Sequence, residues 1–294
     1  MTNKSTVLLA MKKPTIMKNK KNLILLMLIL FSGINKMISQ SQSYGAISYN
    51  KAVNISGKQR MLSQKMSKAY LLLAKGIRNE DIKTELNSSK FIFARQLSIL
   101  KENASDHAIK LYIKEVEVIW EKFQEIINKT PNFNNAQEVM KLNTNLLNSC
   151  HQLVLTIEAA SNYSSKFFYN SNQDLVEIVN KSGKQRMLSQ RLCLYYVASE
   201  MFPTEKNDYT KIINIVFRDF NDAIGFLLIN SYNTIETEEE LGVIMGLWAK
   251  FQNDKNGFIN GDFELEEVFN STNKLTKSFN KITGIYENIA KKNK

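Results

Sequence analysis

The sequence predicts an all-α protein of two tandem up-down four-helix bundles behind an N-terminal signal segment, on three observations. First, only 3 Pro and 11 Gly punctuate 294 residues, too few for the frequent turns of a sheet-rich fold. Second, apolar residues recur at three- and four-residue steps, as in Ile109, Tyr112, Ile113, Val116, Ile119, Trp120 and Phe123, the spacing of one helix face. Third, an eight-residue string, Gly-Lys-Gln-Arg-Met-Leu-Ser-Gln, occurs twice, at 57–64 and again at 183–190. Hydrophobic residues at 44% and charged residues at 23% supply enough apolar surface for a folded core and exclude bulk disorder.

The first element is the segment 1–43. Lys18, Lys20 and Lys21 precede an apolar run from Leu23 to Phe31, and small and polar residues follow from Ser39 to Ser43. A basic stretch, a short apolar stretch and a small-residue stretch form a secretory signal, with Met17 as an alternative start. The run is shorter than the roughly 20 residues that span a bilayer. The expected location is therefore the periplasm, the alternative being an inner-membrane anchor from an uncleaved segment. This segment also carries much of the net charge of +11: residues 1–40 hold seven lysines and no acid, leaving +4 on the remainder. A body so weakly positive gives no reason to expect a nucleic-acid partner.

The two bundles follow. Similarity between the copies extends beyond the octapeptide. Asn54 matches Asn180, and Phe93, Leu97 and Leu100 match Phe220, Ile224 and Leu227. The stretch Trp120 to Gln124 matches Trp248 to Gln252, and Asn145 matches Asn273. The expected modules are 44–168 and 169–291. In the first, helices are predicted over Ala46–Lys75, Glu80–Asn103, Ser105–Lys129 and Asn135–Phe168. In the second, breaks are predicted at Phe202–Thr204, Ser231–Thr234 and Asn253–Gly261. Four helices with short links form an up-down bundle.

Nothing points to an enzyme, a cofactor or a metal. Catalysis asks for convergent acid, base or nucleophile groups, whereas His107 and His151 fall in different predicted helices and neither has a counterpart in the second copy. The stretch Asp254–Asp262 resembles a calcium loop but has Phe258 at its fifth position and Ile259 where the turn needs Gly, so a helix-connecting turn is expected. Cys150 and Cys193 are expected as two free thiols.

The octapeptide carries the candidate chemistry. On a helix, Leu62, Met66, Ala69 and Leu73 share the side expected to face the core, while Gly57, Arg60, Gln64 and Ser67 fall opposite. The second copy repeats this stripe as Gly183, Arg186, Gln190 and Cys193. Gly permits close approach, Arg presents a planar fork of donors to an anion, and Gln adds a neutral donor one turn on. Arg60, Arg186, Gly57, Gly183, Gln64, Gln190, Ser63 and Ser189 are the candidate ligand-binding residues. The same strings read equally as a device for helix packing.

The pattern Asn-x-x-Gly-x-Gln-Arg-Met-Leu-Ser-Gln, with Lys65-Met66 or Arg191-Leu192 after it, resembles the signature that opens the PilJ-type module of type IV pili methyl-accepting chemotaxis transducers. It is also similar to the corresponding helix of nitrate/nitrite sensor kinases of the NarX and NarQ type. That resemblance implies a sensory function, with Arg60 and Arg186 contacting a small anion such as nitrate, nitrite or a carboxylate. No second spanning segment or signalling domain follows, so a separate membrane protein is expected to carry the signal. The competing expectation is a structural or adhesive bundle protein.

Two arrangements are open. End-to-end bundles would separate the arginines by on the order of 40 Å, and each would need a second subunit, as in a homodimer. A reversal within Ser161–Asn172, where Ser171 and Asp174 form a capping box, would bring both arginines into one pocket.

Overall fold

The computed structural model describes residues 43–77, 79–160 and 173–292. The predicted signal segment, apart from Ser43, lies outside the described residues, as does the predicted reversal at Ser161–Asn172. The main elements are α1 (Tyr49–Ala74), α2 (Glu80–Asn103), α3 (His107–Ile127), α4 (Phe133–Ala160), α5 (Gln173–Met201), α6 (Lys206–Leu228), α7 (Ile235–Asn253), α8 (Lys255–Asn260) and α9 (Leu265–Lys292). The fold is all-α, as the scarcity of turn residues predicts. Helix α1 packs on α2 and α4, and α3 on α2 and α4; likewise α5 packs on α6 and α9, and α7 on α6 and α9. Two four-helix bundles result.

Helix ends follow local chemistry. Asn79 caps α2, its side chain accepting from the Asp81 amide at 2.8 Å, and Glu80 and Asp81 place negative charge at the positive end of the helix dipole. Asp106 caps α3 through the Ile109 amide at 3.0 Å.

Several boundaries differ from expectation, among them the start of α4, at Phe133 rather than Asn135. The first helix begins at Tyr49 rather than Ala46, because strands Ser43–Tyr44 (β1) and Ile47–Ser48 (β2) form a short ladder there. Its turn uses Gly45 at φ 61, where a Cβ would come within 2.6 Å of the Asn103 carbonyl. The Tyr44 hydroxyl donates to the Leu100 carbonyl at 2.8 Å, and the Ala46 amide to Asn103 Oδ1 at 2.7 Å, so the end of α2 fixes this turn. The third helix is shorter than predicted, starting after its Asp106 cap. Within Asn253–Gly261 lies helix α8 instead of a plain turn: Asp254 caps it, accepting from the Gly257 amide at 2.9 Å, and Gly261 ends it at φ 96.

The centre of the molecule is the pair α1 and α5, which pack along each other. From Leu62 to Leu72 every residue but Lys65 is buried, and from Leu188 to Ser199 every residue but Arg191. A helix buried on all sides has neighbours on all sides. Each of these two is an inner helix of its own bundle and the seam to the other. Matched aromatic pairs, Phe93 on Trp120 at 4.3 Å between ring centroids and Phe220 on Trp248 at 4.6 Å, fill equivalent positions in the outer layers. Cys150 and Cys193 are free and buried, and burial pushes both thiols up to about 12.

Candidate functional site

The seam between α1 and α5 opens into a cleft of about 370 Å³. Arg60 and Arg186 both line it, together with Gly57 and Gly183. Two segments 126 residues apart in the chain thus place equivalent guanidiniums on one cavity, without a second subunit. Helix α9 completes the wall with Asn273, Thr276, Lys277 and Asn280, and Glu85 enters from α2.

The glycines stand one turn before the arginines, whose guanidiniums fold back toward them, tightly at Gly183 and in ordinary contact range at Gly57. A Cβ at Gly183 would lie 3.3 Å from Arg186 Nη2, and one at Gly57 3.7 Å from Arg60 Nη2. Arg186 donates through Nε to the Gly183 carbonyl at 3.2 Å and through Nη1 to Asn280 Oδ1 at 3.1 Å. Arg60 places Nη1 3.1 Å from His151 Nδ1. A guanidinium only donates, so Nδ1 accepts and His151 is neutral, with its proton on Nε2.

Electrostatically the two arginines are poised against each other. Burial lowers the pKa of both guanidiniums from their ordinary value; Glu158 opposes this at Arg60 and Glu287 at Arg186, while the Arg60 charge lowers Arg186 further. His151 is held low by burial and by the positive charges of Arg60 and Lys184. A negative charge in the cleft would relieve each of these costs.

The other predicted site residues do different work. Ser63 and Ser189 are buried and donate to their own helix, to the Arg60 and Gln185 carbonyls respectively, both at 2.8 Å. Gln64 is buried away from the cleft lining and donates to Asn143 Oδ1 at 2.8 Å; Ser67 adds a bond to the same oxygen at 3.1 Å. The stripe predicted to lie opposite the core is therefore itself buried beyond Arg60, because α1 has packing partners on both sides. Gln190 does line the cleft, but its amide is committed: Nε2 donates to Asn273 Oδ1 at 3.0 Å and Thr276 Oγ1 at 2.7 Å. Since Gln64 bonds Asn143 as Gln190 bonds Asn273, the counterpart of Asn273 is Asn143. The exposed Asn145, matched to it by sequence, is two positions out of register.

Several cleft residues escaped the sequence reading. Lys58 and Lys184 lie inside the repeated string next to the arginines, a signal that was available. Glu85, Lys277 and Asn280 sit on other helices, as does His151, which touches Arg60 without lining the cleft, and no local pattern announces them.

Residues 45–143 match the PilJ family model, described as type IV pili methyl-accepting chemotaxis transducer N-term. The match runs from the Gly45 turn into α4 and includes the first octapeptide, so the chain carries a PilJ-type segment there. No curated protein and no solved structure matches the chain. Among the described residues no helix is long and apolar enough to cross a membrane.

Proposed function

We propose that the protein is an extracytoplasmic sensory module that holds a small anion between Arg60 and Arg186 and acts through a separate signalling partner. The observation that carries this reading is the single cleft shared by the two guanidiniums. Two like charges facing one cavity repel each other unless an anion lies between them, and a bidentate donor fork suits nitrate, nitrite or a carboxylate. The PilJ-type segment supports a sensory function, since that family is named for the N-terminal region of chemotaxis transducers.

In this reading the second half, 169–291, is a second module of the same kind, and the pair within one chain performs what a symmetric dimer of single modules would. Nitrate sensors of the NarX type supply the analogy for the arginine role. An N-terminal signal segment would bring the chain to the periplasm, or hold it at the inner membrane if uncleaved.

The buried half of the octapeptide favours a packing role for part of the string. Gln59 donates to the Phe93 carbonyl at 3.0 Å, and Gln64 bonds Asn143 as described, so these amides fasten helices rather than meet a ligand. The arginines also touch neighbouring helices, at His151 and Asn280, but unlike these amides they line the cleft.

Calorimetric titration of the full chain with nitrate, nitrite and acetate tests the proposal. Binding of at least one of them is expected, and its loss in Arg60→Ala and in Arg186→Ala. Binding that survives both substitutions would remove the arginines from the site, and no binding by any anion would leave a purely structural bundle.

A further inference from the structure

We infer that the ligand is a small multivalent anion of the di- or tricarboxylate class rather than a monovalent oxyanion such as nitrate. The inference rests on the proposed anion site and narrows its substrate class.

Size is the first argument. The cleft, open to solvent along one side, has a volume of about 370 Å³. A water molecule occupies roughly 30 Å³ of liquid, and nitrate or nitrite is of the same order, so either would leave the cleft mostly filled with solvent. Cavities that enclose organic ligands begin at about 300 Å³.

The second argument is the arrangement of charge. Lys58, Arg60, Lys65, Lys184, Arg186 and Lys277 line the cleft, against Glu85 as its one acid. Two of these cations are answered locally. Lys184 lies 2.8 Å from Asp219, and Lys65 lies 3.6 Å from Glu85, which also holds Lys68 at 2.6 Å. Lys58, Arg60, Arg186 and Lys277 have no carboxylate within ion-pair distance among the described residues, although Glu158, Glu287 and Glu240 act on Arg60, Arg186 and Lys277 from farther away. The contrast between Lys58 and Lys184 is instructive, because they are the same residue of the repeat. Asp219 on α6 answers Lys184, while the equivalent position on α2 is Ile92, counting from the matched Phe93 and Phe220. The excess charge comes from three helices, α1, α5 and α9, and so surrounds the cavity. A single negative charge held between the two arginines would leave Lys58 and Lys277 unanswered. An anion with two or three carboxylates several ångströms apart engages all four.

Neutral polar side chains line the wall beside these charges. Asn280 on α9 already orients Arg186, and Thr276 sits one turn before it on the same wall. A hydroxyl or carboxylate oxygen between the charged ends of a ligand would face this side.

The test is calorimetric titration of the full chain at fixed pH and matched ionic strength with citrate, succinate, acetate and nitrate, using the wild type and the variants Lys58→Ala, Lys277→Ala and Arg60→Ala. Citrate or succinate is expected to bind at least tenfold more tightly than acetate or nitrate. Lys58→Ala and Lys277→Ala should each weaken that binding at least threefold, and by a larger factor than they weaken acetate or nitrate binding. Nitrate or acetate binding as tightly as citrate, with Arg60→Ala abolishing it, would overturn the inference and leave the anion site standing. Lysine variants without effect on citrate would overturn it in the same way. Absence of binding by all four anions would overturn both.

Discussion

The Lys68 ammonium donates to the side-chain oxygen of Gln190 at 2.6 Å, joining α1 to α5 across the seam. It also reaches Asn273 Oδ1 at 2.7 Å and Glu85 Oε1 at 2.6 Å, and stands 4.5 Å from the centroid of the Phe269 ring. Asn273 in turn donates to Glu85 Oε2 at 2.9 Å. Four elements, α1, α2, α5 and α9, thus meet on one buried cation directly beneath the cleft. Burial lowers the Lys68 pKa, and Glu85 is the largest influence opposing that shift. The network exists on one side only. The counterpart of Lys68 is Leu194, and in the first copy Gln64 Oε1 and Asn143 Nδ2, the atoms equivalent to those that Lys68 and Glu85 engage, have no partner.

Removing one member of this ion pair should therefore be costly. Glu85→Gln leaves a buried ammonium without its carboxylate, for which a loss of about 3–5 kcal/mol is expected. Replacing both, as Lys68→Met with Glu85→Leu, should recover most of that loss. Urea unfolding of the three proteins checks it, and a Glu85→Gln variant as stable as the wild type would contradict the network's role.

The register of the repeat is tested at two asparagines. Asn143→Leu removes the acceptor that Gln64 and Ser67 share, leaving Gln64 only a long contact with the Ser63 hydroxyl and Ser67 only the Ser63 carbonyl, and should lower stability by about 1–3 kcal/mol. Asn145→Ala, on the exposed side of α4, should change it by less than about 0.5 kcal/mol. Denaturant midpoints of the two variants separate the assignments, and the reverse order would restore Asn145 as the counterpart of Asn273.

Stability should fall with acid through His151. Its folded pKa lies below the unfolded value of about 6.5. Above that value the imidazole is neutral in both states and contributes nothing. As pH falls below it, the unfolded chain takes up a proton that the folded one resists beside Arg60 and Lys184, so unfolding is favoured until the folded pKa is passed. The melting temperature should drop between pH 7.5 and 5.5, and His151→Asn should flatten that drop. A bound anion should raise the His151 pKa, observable by NMR titration of its ring protons.

Much of the fold is legible in the sequence because helix boundaries are local. Asn79, Asp106 and Thr234 cap helices where short polar residues precede apolar periodicity, and α2 has the predicted limits. The arginine pair is legible because duplication marks it. What escaped is non-local. A helix wheel assumes one core face, and α1 and α5 each have two, so the side opposite Leu62 and Met66, which carries Gln64 and Ser67, is buried as well. Lys68 looks like any surface lysine until α5 and α9 close over it. The offset between copies grows from 126 at the octapeptide to 130 at Asn143 and Asn273, a drift that short matches do not reveal. Lys277 and His151 join the site only through packing.

The central claim, that one chain builds a two-arginine anion site, is tested most directly by a double-mutant cycle on Arg60 and Arg186, read by calorimetry with the tightest-binding small anion. The account predicts one anion per chain in the wild type and strong non-additivity, each single alanine variant losing nearly as much affinity as the double. Two independent losses that sum to the effect of the double variant, or one anion bound per two chains, would contradict it.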